Sequence, residues 1–167
     1  MGRYVEHGGY LLKALEKAGM DVVYIPTNRV AEEFPWTPDE LKKYDVIVVS
    51  DVGSNTFLIS ARTMAGEKTP NRLKLIEQYV REGGRFIMWG GYLSFTGLHG
   101  YGFYKRTPIE RLLPVELMET DDRVEVPEGF LPRILVKDHP ILQGIPEKWE
   151  YSSVLYANMV KWCAGEI

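Results

Sequence analysis

Gly83-Gly84-Arg85-Phe86-Ile87-Met88-Trp89-Gly90-Gly91-Tyr92-Leu93-Ser94-Phe95 is the stretch that decides the fold. A helical run ends at the first glycine pair, and an apolar run short enough to be a buried strand follows it. A second glycine pair closes that run, and Tyr92 and Ser94 come next. In an open α/β sheet, ligands sit beyond the carboxyl ends of the strands, so small and polar residues directly after a strand are expected at a binding edge. Glycine lets the chain turn sharply and leaves space for a ligand near the backbone, which makes Gly90 and Gly91 ligand-binding candidates.

Working outward, Thr69-Pro70 is expected to open the helix before this strand, with Leu73, Ile76, Tyr79 and Val80 as its apolar stripe. Earlier still, Tyr44-Asp45-Val46-Ile47-Val48-Val49-Ser50 is a continuous apolar run ending in polar residues. Such a run suits a parallel strand covered on both faces. It delivers Asp51, Gly53, Ser54 and Asn55 to the same sheet edge as Tyr92 and Ser94. Residues 56–68 read as loop. Toward the N-terminus the spacing predicts a helix over residues 8–18, a strand from Asp21 to Ile25, and a loop over 26–36. Thr37-Pro38-Asp39-Glu40 has the pattern of a capping box at the start of a short helix.

Beyond the opening stretch, residues 95–104 are rich in glycine and aromatic side chains and read as a loop over the edge. Thr107-Pro108-Ile109-Glu110 repeats the capping pattern ahead of a short helix through Leu113. Prolines then separate β-like pieces at Arg123–Val126 and Arg133–Val136, suggesting an antiparallel extension, and Asp138-His139-Pro140 is turn chemistry. Residues 151–164 read as a final helix with Val154, Leu155, Met159 and Trp162 inward. Strands alternating with helices indicate an α/β fold with a mainly parallel sheet.

Composition narrows the function classes. The 167 residues fit a single domain over 1–167, and 45% apolar with 26% charged residues is ordinary for a soluble globular chain. A net charge of −3 gives no basic face for nucleic acid. Cys163 is the one cysteine, so no disulfide framework or thiolate metal cluster is expected. No run reaches the ~20 apolar residues of a membrane span, and the expected location is cytoplasmic.

Candidate chemistry lies at the edge. Ser94 reads either as a nucleophile with His99 as its base or as a cap on its own turn, and His99 either packs the loop or meets a ligand. Asp51 is a base or ligand-binding residue, or a turn former ahead of Gly53. Ser54 and Asn55 suit a sugar or an amide, or the capping of their own loop. Asp121 and Asp122 read as solvated turn residues rather than a cation site, and His7, His99 and His139 form no metal motif. There is no Walker A sequence and no Gly-x-Gly-x-x-Gly after a strand, so no cofactor is expected.

Several segments together resemble the putative glutamine amidotransferase family, within the class I glutamine amidotransferase-like superfamily and related to ThuA-like proteins. They are Ser50–Thr56, Thr69–Leu73, Gly90–Phe95, Thr107–Glu110, Leu113–Val115, Asp121–Glu125 and His139–Leu142. The resemblance implies a flavodoxin-like three-layer α/β/α sandwich. It also implies a first strand ahead of the first helix, and further strands before the last one, that this chain lacks around its N-terminus and residues 147–151. Working amidotransferases of the superfamily place a cysteine nucleophile on a sharp turn after a strand, beside an oxyanion hole. Aligned on Gly90, that position is Tyr92. A phenol with a pKa near ~10 is a poor acyl-transfer nucleophile at neutral pH. The expectation is therefore a domain without glutaminase activity that binds or processes a small polar molecule. The alternative is a non-catalytic oligomerisation or interaction domain that pairs with a second copy or joins a larger assembly, motivated by an open sheet edge, and a homo-oligomer is expected.

Overall fold

The computed structural model describes residues 9–129, 133–145 and 153–167. They form two compact units, one of Ile25–Glu125 and one of the flanking segments through Tyr24 and from Val126. His7 and the region 147–151 lie outside the described residues.

In the larger unit, β1 (Val46–Ser50) and β2 (Arg85–Trp89) pair in parallel, with Val46 opposite Arg85 and Ser50 opposite Trp89. These are the strands expected from the two apolar runs. They are the sheet seen among the described residues, so the α/β class holds while a full sandwich is not displayed. Both strands end at one edge, which brings Asp51 beside Gly90.

Helices of the same unit pack on one another beside the pair. α2 (Thr27–Glu33) occupies the expected 26–36 loop, and α4 (Ser54–Leu58) and α5 (Ala61–Met64) occupy the expected 56–68 loop. All three are short. α2 and α4 bury Val30 and Phe57 and depend on tertiary packing, whereas α5 buries no residue and is capped by Ser60; a periodicity test on so few residues registers none of them. α3 (Pro38–Leu41) carries the full capping box: Thr37 Oγ1 accepts from Glu40 N, and Glu40 Oε2 accepts from Thr37 N at 3.0 Å. α6 (Arg72–Arg81) starts later than expected, because Asn71 and not Thr69 caps it, accepting from Lys74 N at 3.1 Å.

Leu73, Ile76 and Tyr79 are buried with Leu41, Ile47 and Val49 in one apolar cluster. Burying each aliphatic side chain contributes roughly 2 kcal/mol. At the end of α6, Gly83 adopts φ 99°, the left-handed cap that glycine accepts without penalty. A Cβ on Gly84 would stand 2.3 Å from the Tyr79 ring, so glycine there makes room for a core aromatic whose hydroxyl donates to Tyr44 O.

The second capping pattern resolves differently. Glu110 accepts from Arg106 N, Thr107 Oγ1 accepts from Ile109 N, and only a 3₁₀ turn forms at Glu110–Leu112. The Arg123–Val126 piece is irregular, its charged side chains being taken up by Asp121 and Glu125 while Val124 points to solvent.

In the smaller unit, α1 (Gly9–Lys17) buries Leu15 and packs with α7 (Ser153–Ala164). Residues 21–25, expected as a strand, are not part of the sheet: β-branched residues favour a strand only where a pleated neighbour covers them, and Val23 and Tyr24 are exposed. The Arg133–Val136 piece is likewise irregular. On α7 the buried positions are Ala157 and Val160, whereas Val154 and Trp162 face solvent. Asn158 explains the rotation, since its Nδ2 must face inward to donate to Ile141 O and Gln143 O. Cys163 is half-buried.

Candidate functional site

The β1 end leaves the strand through Asp51, whose φ of 54° lies in the left-handed region. That conformation costs a residue with a Cβ roughly 1 kcal/mol, and the surroundings hold it there. The Asp51 carboxylate crosses to the neighbouring turn, where Oδ1 accepts from Leu93 N at 2.8 Å. In return the Asp51 N–H donates to Ser94 Oγ at 3.0 Å. A Cβ on Gly91 would lie 2.8–3.0 Å from the Asp51 side chain. Neither Gly90 nor Gly91 has a positive φ, so the second glycine of the pair is needed for this close approach and not for backbone freedom.

The other candidates divide into buried and open groups. Ser94 is 1% exposed and its oxygen serves the Asp51 amide. Ser54, also 1% exposed, donates through Oγ to Phe103 O, while its N–H donates to Gly102 O. Asn55 is exposed on the first turn of α4. Tyr92 is 64% exposed, directly after Gly91. His99 is also open, and its ring stands edge-on to Tyr101 with centroids 6.1 Å apart.

The loop between Phe95 and Arg106 turns back on itself through unusual backbone. Phe95, His99, Phe103 and Arg106 all have φ between 51° and 60°. A Cβ on Gly97 would stand 2.4 Å from Tyr92 O, and one on Gly102 2.5 Å from Phe95 O. Tyr104 anchors the loop's far end: it is buried and its hydroxyl donates to Val52 O at 2.5 Å, with burial pushing its pKa well above the usual phenol range.

Asp121 and Asp122 are not solvated turn residues. Asp122 accepts from both Thr96 N and Gly97 N at 2.9 Å, and Asp121 accepts from His99 N at 2.9 Å. The Arg123 guanidinium grips Asp121 and holds its carboxyl far below the usual carboxylate range. The signal for these contacts was an Asp-Asp pair in the same chain as a glycine-rich loop with many free N–H groups. Nothing in its spacing told which loop it would serve. Among the described residues no group of His, Cys, Asp and Glu could hold a metal ion, and no helix is long and apolar enough to cross a membrane.

With this geometry in view, comparison with known proteins places the chain. The family model described as "Putative glutamine amidotransferase" matches residues 1–163. The chain belongs to that family. Two solved structures are similar to it. One is titled "Cytoplasmic Protein STM3548 from Salmonella typhimurium", 43% identical over 87% of this chain and 60% of that one, with a TM-score of 0.83. The other is "Cytoplasmic Protein STM1381 from Salmonella typhimurium LT2", 44% identical over the same shares, with a TM-score of 0.81. The chain thus spans about 60% of the length of these relatives. No protein with a curated description matches it. As a member of the amidotransferase-like family, the chain carries tyrosine at the turn after β2, where the resemblance implies cysteine in glutamine-hydrolysing enzymes.

Proposed function

We propose that this amidotransferase-like chain binds or processes a small polar molecule, sugar- or amide-like, at the carboxyl edge of its sheet, and that it does not hydrolyse glutamine. The observation that carries the reading is the crossing of Asp51 to Leu93 N at 2.8 Å, which ties the ends of β1 and β2 into one surface. Tyr92, His99 and Asn55 stand open on that surface and are the groups offered to a ligand, with Tyr92 and His99 available for proton transfer. Asp51, Ser54, Ser94, Gly90 and Gly91 shape it, and the polar atoms of both serines are already engaged by backbone. The same reading includes the flavodoxin-like sandwich and the kinship to ThuA-like proteins. It also takes the chain as cytoplasmic, as its two structural relatives are described.

The proposed lack of glutaminase chemistry rests on the side chain at position 92, a phenol where acyl transfer from glutamine needs a thiolate-type nucleophile. The test is an assay of glutamate release from glutamine with the purified chain, run beside an NMR screen of monosaccharides and primary amides against ¹⁵N-labelled protein. Amide shifts clustered at residues 51–55 and 91–99, with no glutamate formed, are expected. Glutamate release that disappears in Tyr92→Ala would refute the reading.

A second reading, a homo-oligomerisation domain, draws on Val115, Met118 and Val124, large apolar side chains exposed on the larger unit. Light scattering at increasing concentration tests it, and a constant monomer mass would remove it.

A further inference from the structure

Asp121 bonds the His99 backbone and stands within ion-pair distance of its ring. Oδ2 accepts the His99 backbone N–H at 2.9 Å, and the same oxygen lies 3.4 Å from the ring Nδ1. The carboxylate is itself fixed, since Arg123 reaches it through its backbone N–H and through Nε, each at 3.0 Å. His99 stands at φ 51°, so the backbone bond to Asp121 also helps to hold an otherwise unfavourable conformation. The ring remains 64% exposed, and no hydrogen bond to Nε2 is found among the described residues.

We propose that Asp121 holds neutral His99 as the Nδ1–H tautomer, so that the Nε2 lone pair faces outward as the proton acceptor of the candidate edge. A carboxylate held ionised by a guanidinium can only accept, and a neutral imidazole has a single N–H to give. Placing that hydrogen toward Asp121 leaves Nε2 as the acceptor. Asp121 is then a positioning residue, acting through His99, and Arg123 fixes Asp121. The role deepens the binding-edge reading and rests on it only for the ligand, which would be one that presents a hydroxyl or another weakly acidic O–H or N–H to Nε2. It also moves His99 away from partnership with Ser94, whose oxygen faces the Asp51 amide.

The protein contains an internal control. His139 Nδ1 accepts from Ile141 N at 3.3 Å, so neutral His139 must carry its hydrogen on Nε2. The two histidines are therefore expected in opposite tautomers. Ring ¹⁵N chemical shifts and long-range ¹H–¹⁵N correlations of the full chain, at a pH where both rings are neutral, read this directly. His99→Gln and His139→Gln spectra supply the assignments. The expected result is Nδ1–H at His99 and Nε2–H at His139. In Asp121→Ala, His99 should revert to Nε2–H, the form favoured in free imidazole side chains, while His139 is unchanged. An Nε2–H form of His99 in the unaltered protein would overturn the proposal without any variant having to fold. So would an Nδ1–H form that persists in a folded Asp121→Ala. Because no ligand enters the measurement, its failure is separate from a failure of the binding reading, which the ligand screen decides.

Discussion

Replacing Arg72 tests the packing that supports the edge. Arg72 is fully buried, yet among the described residues no carboxylate forms an ion pair with it; its guanidinium donates instead to five backbone carbonyls. Nε reaches Phe57 O at 2.6 Å, Nη1 reaches Val30 O and Phe34 O at 3.2 and 3.3 Å, and Nη2 reaches Ala31 O and Thr56 O at 2.9 and 3.2 Å. Those carbonyls lie at the C-terminal ends of α2 and α4, and all but Val30 O, which also accepts from Phe34 N, are of the kind a helix end leaves without a backbone donor. The cation also lies 4.0 Å above the Trp36 ring. Arg72→Met keeps an apolar stem and removes every donor. Val30 O retains its bond from Phe34 N, and water can reach the part-buried Ala31 and Thr56 bonds, which leaves Phe34 O and Phe57 O stranded. Each stranded carbonyl costs roughly 1–3 kcal/mol, and the lost ring contact about 1 more. Relief of the guanidinium's own desolvation offsets part of this. The net loss is about 3–4 kcal/mol, a large share of the ~5–15 kcal/mol that stabilises a typical domain. Arg72→Lys keeps the charge but offers three donors from a single point, and about 2 kcal/mol should be lost. Urea unfolding followed by far-UV circular dichroism reads both. With a slope of about 1.5–2 kcal/mol/M, the methionine variant should unfold roughly 2 M earlier. A methionine variant within about 1 kcal/mol of the parent, or a lysine variant no better than methionine, would refute the assignment of Arg72 as a double helix cap.

Tyr104→Phe should lose about 1 kcal/mol at neutral pH, the net worth of its bond to Val52 O. It should also change the alkaline limb. Burial raises the folded phenol above its unfolded value near ~10, so the folded state holds the proton longer, and stability falls by up to ~1.4 kcal/mol per pH unit above about pH 10. Urea midpoints at pH 9 to 11 should therefore fall less steeply in the phenylalanine variant. Gly97→Ala combines a φ of 78° with a Cβ 2.4 Å from Tyr92 O, and thermal unfolding should show a loss of about 2–3 kcal/mol. Thr37→Ala, which opens the capping box of α3, should cost about 1 kcal/mol by urea titration.

How much could be read from the sequence depended on whether the deciding force was local. β1, β2 and α6 were legible because long apolar runs and a helical stripe are signals within one element. The Thr37 box was legible for the same reason. α2 and α4 were not, since each is a few residues long and is held by a partner distant in sequence, Arg72; α5 is only four residues long, and its Ser60 cap was overlooked. Residues 21–25 show the reverse error: β-branched composition promised a strand, and no pleated neighbour in the sheet made it one. The helical face of α7 was misjudged because apolarity outranked Asn158, which turns inward for its two carbonyls.

At the candidate edge the sequence marked a region and could not sort its members. Asp51, Ser54 and Ser94 are the types expected to meet a polar ligand, and such residues cap loops equally well. The edge joins strands that meet in space but lie about 40 residues apart, and its loop must bend through left-handed backbone at Asp51, Phe95, His99 and Phe103. Bends of that kind expose N–H groups that helix or sheet would otherwise occupy, and buried amides require acceptors. Short oxygen-bearing side chains are what reach them, so the more irregular the loop, the more of its polar residues are committed to holding its shape. By that argument the groups the proposed reading offers to a ligand are the outward ones, Tyr92, His99 and Asn55. The Asp121–Asp122 pair then belongs to the edge as much as any residue on it, because it closes three amides of the loop that carries His99.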